Sequence, residues 1–80
     1  MNLQQLRYLC AIVDHGLNVS DAAEALCTSQ PGISKQIRQL EDELGLKVFV
    51  QQGKRLTSLP PAGSVVLANA RRALSEIGNL

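Results

Sequence analysis

Between Ser29 and Gly45 the chain carries a segment with both ends of a helix written into it, "SQPGISKQIRQLEDELG". Thr28 and Ser29 are helix-capping residue types, and Pro31 falls in the first turn, where a missing N–H removes no bond. Gly45 supplies the residue type that most often ends a helix. With Ile33 at zero and about 100° per residue, Ile37, Leu40 and Leu44 fall within roughly 40° of it. That stripe has to be buried. Pro31, Lys35 and Arg38 fall on the opposite side, with Gln30 and Ser34 on the flank between. The uncovered side of the first half therefore offers amide, hydroxyl and cationic groups and no acid. The second half holds the cluster Glu41–Asp42–Glu43. Amides, hydroxyls and cations are the groups that read base edges and hold phosphates. A helix whose N-terminal half enters a major groove and whose C-terminal half leaves it accounts for the split. The acids then stand clear of the phosphates, and Glu41 or Asp42 is within reach of Arg38. An ordinary solvated amphipathic helix is the alternative on this segment alone.

The flanking sequence narrows the choice. Leu3, Leu6, Cys10 and Val13 recur at helical spacing, widened by Leu9 and Ile12, and Gly16 stops the pattern, so a first helix is predicted over about residues 3–15. Ser20 or Asp21 is expected to cap a short second helix ending near Cys27, with Ala22, Ala23, Leu26 and Cys27 on its buried face. A short helix and a longer one across a tight turn make a helix-turn-helix. Such a pair needs a small residue where the helices touch and a branched apolar residue early in the second. Ala23 and Ile33 fit those places. Cys27 and Thr28 stand where many such turns carry glycine.

After Gly45 the period falls to two. "LKVFVQQGKRLTS" places β-branched and aromatic residues on either side of a glycine turn and reads as a small hairpin, with Phe49 and Leu56 packed inward and Lys54–Arg55 at the tip. A basic hairpin beside a helix-turn-helix is a wing, and its tip can reach a minor groove or the phosphate backbone. "LPPAG" then breaks the chain. A last helix follows with Val66, Ala70, Ala73, Ile77 and Leu80 in steps of four, three, four and three, widened by Leu67 and Leu74. A long helix with such a stripe and few partners in its own small domain suggests a partner helix, hence a homodimer. Packing back on the first helix is the competing expectation.

Composition removes other classes. Eighty residues, 45% apolar and 19% charged, suit one small folded domain. The net charge is only +1, but Cys27–Leu40 and Gly45–Leu74 contain bases and no acids. No apolar run approaches a membrane span and no leader pattern opens the chain, so a cytoplasmic protein is expected. Cys10 and Cys27 form no metal or redox spacing and are expected to be small buried core residues. His15 is the sole histidine, and with no carboxylate pair or glycine-rich phosphate loop, no catalytic, cofactor or metal site is expected.

The residues also carry a resemblance. "AAEALCTSQPGISKQIRQLEDELGLKVF", then "GKRLT" and "PAG", is similar to the N-terminal DNA-binding domain of LysR-type transcriptional regulators, over essentially the whole chain. With "LQQLRY" and "LNVS" it most resembles the CysB-like branch, which controls sulfur assimilation. The resemblance implies a mainly α fold, a winged helix-turn-helix of three helices plus a β-hairpin wing, followed by a long linker helix. It divides the chain into residues 1–59 (helix-turn-helix about 19–38, wing about 46–58) and a linker and dimerisation helix over 60–80. It implies base and phosphate contacts from Gln30, Pro31, Ser34 and Lys35, backbone contacts from Thr28, Ser29 and Arg38, and a wing-tip contact from Lys54, beside Arg55. The partners implied are double-stranded DNA and a second subunit through Val66, Leu67, Ala70, Ala73, Leu74, Ile77 and Leu80, with a tetramer open to the full-length protein. The effector-binding domain of the family is not in this sequence, and any small-molecule effector would belong to it. Two positions depart from the pattern. Gln51 replaces the usual arginine at the start of the wing, and Pro60 replaces the Thr or Ser that can cap the linker helix. The rival reading is a helical protein–protein interaction module without DNA binding.

Overall fold

The computed structural model describes residues 1–78. Its order is α1 (Leu3–Asp14), α2 (Val19–Ala25), α3 (Gln30–Leu44), β1 (Val50–Gln52), β2 (Arg55–Ser58) and α4 (Pro61–Gly78). The fold is mainly helical with one two-stranded antiparallel hairpin, as the sequence predicts. Among the described residues no helix is long and apolar enough to cross a membrane.

The helix starts are set by side-chain caps. Asn2 and Gln5 form a reciprocal capping box on α1. Asn18, not Ser20 or Asp21, caps α2 by accepting from the Asp21 N–H at 3.0 Å. Ser29 caps α3 by accepting from the Gly32 N–H at 3.0 Å. Pro60 offers no side-chain cap, yet α4 still begins at Pro61, because the Pro60 carbonyl accepts from the Ser64 N–H at 2.9 Å.

The helix ends share one device. After α1, Gly16 is left-handed (φ +66°), and the Leu17 N–H returns to the Ile12 carbonyl while the Gly16 N–H returns to Val13. After α2 the same pair of bonds runs from Thr28 to Ala23 and from Cys27 to Glu24, and the left-handed residue is Cys27 (φ +54°). Cys27 thus fills the turn position that glycine commonly takes. That backbone points its side chain outward, so Cys27 is exposed and Leu26 is 38% exposed, against the expectation that both are buried. Cys10 is buried as expected, and burial pushes its thiol pKa up.

The core lies where α1, α2 and α3 meet beneath α4. Leu9, Ile12, Ile33 and Leu40 are essentially fully buried, with Ala22 and Ala23 at the contact of α2 with α3. Val48 and Phe49 anchor the wing in the same core. α4 packs along α1. Ala70 is buried, and Val66, Leu67, Ala73 and Leu74 are half-buried against the core. Most of the stripe read as a dimer face is therefore covered by the chain's own α1. Ile77 continues the stripe and is left 39% exposed, while Leu80 lies outside the described residues.

Candidate nucleic-acid interface

The capped start of α3 puts Ser29, Gln30 and Pro31 on the surface, with Thr28 half-buried behind them. The Ser29 oxygen accepts the Gly32 N–H, which leaves its O–H free to donate outward. Two turns of α3 then present Gln30, Ser34 and Arg38 in one line, because residues four apart lie on the same side. The hairpin rises beside this line. Gly53 makes its turn with φ +59°, and the strands pair Gln51 with Leu56 and Gln52 with Arg55. The result is an open groove between α3 and the wing. Gln30, Ser34 and Arg38 line one side, Gln51 and Lys54 the other, and Ile37 and Phe49 lie beneath. An adjoining depression holds Lys54 and Arg55 with Ser20 and Gln30.

The sequence-predicted residues therefore fall into two groups. Gln30, Ser34, Arg38, Lys54 and Arg55 share this continuous concave surface. Thr28, Ser29, Pro31 and Lys35 do not line it. They lie at the start and on the opposite side of α3. Ser20 was missed. Its hydroxyl donates to the Gln30 side-chain oxygen Oε1 at 2.8 Å, and the Gln30 NH2 group has no hydrogen-bond partner among the described residues. The sequence signal was there: Ser20 is a small hydroxyl residue at the start of the helix that packs on α3.

The charges sort the same way. Among the described residues Lys35, Arg38, Lys54 and Arg55 have no ion-pair partner, nor do Arg7 and Arg72. Arg71 is tied to Asp14 at 2.7 Å, and Lys47 stands 3.9 Å from Glu41. The expected pairing of Arg38 with Glu41 or Asp42 does not form. Glu41 lines the same groove but is buried there, and its carboxylate accepts from the Val48 N–H at 2.8 Å instead. Arg38 is left exposed and free for an anion. Gln51, in the place of the family arginine, donates to the Gly53 carbonyl at 2.9 Å and braces the turn of the wing.

A helix-turn-helix with a hairpin wing and a free cationic, amide-bearing helix face is the architecture of a bacterial regulatory protein, and this chain belongs to the lysR family of bacterial regulatory helix-turn-helix proteins, whose family profile matches residues 3–64. Among individual relatives, the HTH-type transcriptional regulator CysB of Haemophilus influenzae is 55% identical over 74 residues, covering 92% of this chain and 23% of that protein. The HTH-type transcriptional regulator SsuR of Burkholderia cenocepacia is 46% identical over 80 residues, covering 100% of this chain and 26% of that protein. The chain thus spans about a quarter of the length of these regulators. Among solved structures, the CbnR_DBD–DNA complex superposes with a TM-score of 0.90 at 35% identity, covering 99% of this chain and 88% of that one. The complex of BenM_DBD with benA site 1 DNA gives 0.89 at 33%, covering 99% and 86%.

Proposed function

We propose that this chain is the DNA-reading part of a LysR-type transcriptional regulator of sulfur-assimilation genes, acting in the cytoplasm. α3 enters the major groove, and the wing rests on the adjacent minor groove or backbone. Gln30 and Ser34 meet base edges, Lys35 and Arg38 hold phosphates beside α3, and Lys54 and Arg55 hold them at the wing. Thr28, Ser29 and Pro31 set the start of the helix against the backbone. The observation that carries this reading is the shared surface on which α3 and the wing tip present unpaired cations beside Gln30 and Ser34. The relatives named CysB and SsuR support the choice of regulon.

The reading includes a homodimer on a near-palindromic site, since a two-fold pair of subunits mirrors a two-fold operator. The surface left for the second copy is the far end of α4 at Ile77, together with the half-exposed rim of the stripe. The rival, an interaction module without DNA binding, drew on the apolar stripe of α4. It accounts for neither the unpaired cations nor the amide and hydroxyl groups that α3 and the wing present together.

The test is titration of the chain against a randomised duplex pool at two salt concentrations, with sequencing of the bound fraction. The expected result is a two-fold symmetric enriched site and an affinity that falls steeply with salt. Lys35→Ala and Lys54→Ala are each expected to lower the logarithmic salt slope by about 0.9. Gln30→Ala is expected to relax base preference by about 1–3 kcal/mol at one position. Salt-independent binding, or slopes unmoved by both lysine changes, would sink the proposal.

A further inference from the structure

We infer that Glu41 is a positioning residue that fixes the wing to the reading helix, and so sets the distance between Lys54 and the Gln30–Ser34 line. This rests on the DNA-binding reading above. Glu41 belongs to an acidic cluster, but its neighbours Asp42 and Glu43 are exposed and it is buried. Its main-chain carbonyl accepts from the N–H groups of Gly45 (2.9 Å) and Leu46 (3.2 Å), which closes the end of α3. Its carboxylate accepts from the Val48 N–H at 2.8 Å in a buried bond, with Lys47 at 3.9 Å as counter-charge. One side chain therefore ties the body of α3 to the residue from which the wing springs. A buried carboxylate is retained only where it is hydrogen-bonded and paired, as here.

The other side of Val48 is held as well. Its carbonyl lies so close to Gly63 of α4 that a Cβ built on the glycine would stand 2.0 Å from it. The next residue, Phe49, is buried, and β1 begins at Val50. Taking Ile33 as zero on α3, Glu41 falls at about 80°, between Gln30 at about 60° and Ser34 at about 100°. The pin stands on the flank that carries the readers. A two-stranded ribbon is marginal by itself, so its position relative to α3 depends on such an attachment. Val48 and Phe49 still anchor the wing when this bond is cut, but its position relative to α3 is less fixed, and ordering it on binding takes part of the benefit of the Lys54 contact.

The experiment is a mutant cycle read in binding of the chain to a random-sequence duplex, with backbone amide exchange measured in the free protein. In the wild type, Lys54→Ala is expected to reduce the loss of affinity between 50 and 200 mM salt by about 3.5-fold, one phosphate contact. In a Glu41→Ala background the same change is expected to have a clearly smaller effect, while Lys35→Ala on α3 keeps its full effect. Glu41→Gln, which retains an acceptor for Val48, is expected to restore the Lys54 effect. In the free protein the Val48 amide is expected to lose its protection in Glu41→Ala before the α3 amides do. A general loss of stability would move every contact alike and would not separate Lys54 from Lys35. If Glu41→Ala does not fold, Glu41→Asp keeps the charge, shortens the reach and takes its place. A Lys54 effect of equal size in both backgrounds overturns the inference. A wild type that binds no duplex sinks the DNA reading instead, and the Val48 amide then decides the pin: unchanged exchange in the variant overturns it.

Discussion

Replacing Gly63 by alanine tests the packing of α4 on the base of the wing. A Cβ at this position would lie 2.0 Å from the Val48 carbonyl oxygen and 2.9 Å from Leu59 Cδ1. A carbon–oxygen contact normally settles near 3.3 Å, so the first turn of α4 must retreat by about 1.3 Å. Val48 cannot yield, since it is fully buried and its N–H is held by Glu41. Overpacking of this kind costs about 1–3 kcal/mol, and a clash with backbone belongs at the upper end. Alanine returns about 0.5–1 kcal/mol through its helix preference. The net expectation is a loss of about 2 kcal/mol, which for a domain of this size lowers the melting temperature by about 8–16 °C. Urea and thermal unfolding followed by circular dichroism give the number. Gly78→Ala, on the same helix with nothing within 4 Å of the added carbon, is the control and should be neutral or slightly stabilising. If Gly63→Ala proves as stable as the wild type, or more so, the close approach of α4 to Val48 is wrong.

Two further outcomes are expected. Cys27→Gly relieves a left-handed strain of about 1–2 kcal/mol and loses about 0.5–1 kcal/mol to unfolded-state entropy, so the variant is expected to be more stable by about 0.5–1 kcal/mol in urea unfolding, and Cys27→Val less stable than the wild type. Asp14 is held below its ordinary pKa by the hydrogen bond from Arg71. A depressed carboxylate stabilises the fold above its unfolded pKa and loses that contribution as pH falls through the folded value. The pair is exposed and its effect small. Asp14→Asn is accordingly expected to melt slightly below the wild type at neutral pH, with the gap closing below about pH 4.

What could be read from the sequence was whatever periodicity and end signals determine. The 33–37–40 stripe, Ala23 against Ile33, the glycine turn of the wing and the cationic face of α3 all follow from spacing and residue type. The misreadings come from effects that spacing does not carry. Asn18, Ser20 and Asp21 are equally good capping types, and the choice fell to Asn18 because the chain reverses through Gly16 and Leu17 just before it. Cys27 has the volume and polarity of a core residue, but the backbone reversal after α2 turned it outward. Glu41 looks like a surface acid until the strand entry folds over it, although its place beside the Ile37–Leu40 stripe was a hint. The stripe of α4 marked an apolar face correctly, and no sequence pattern states whether such a face meets its own chain or another.

The two thiols differ in a way that makes the chain its own clock. Cys27 stands in solvent at a helix turn, while Cys10 is sealed in the core that α4 helps to close, with its thiol pKa pushed up by burial. An alkylating reagent attacks thiolate, so Cys27 should be modified at once and Cys10 only in the fraction of time the core is open. Two alkylation steps, resolved by mass, would then time the opening of the core around Cys10 without any label being introduced.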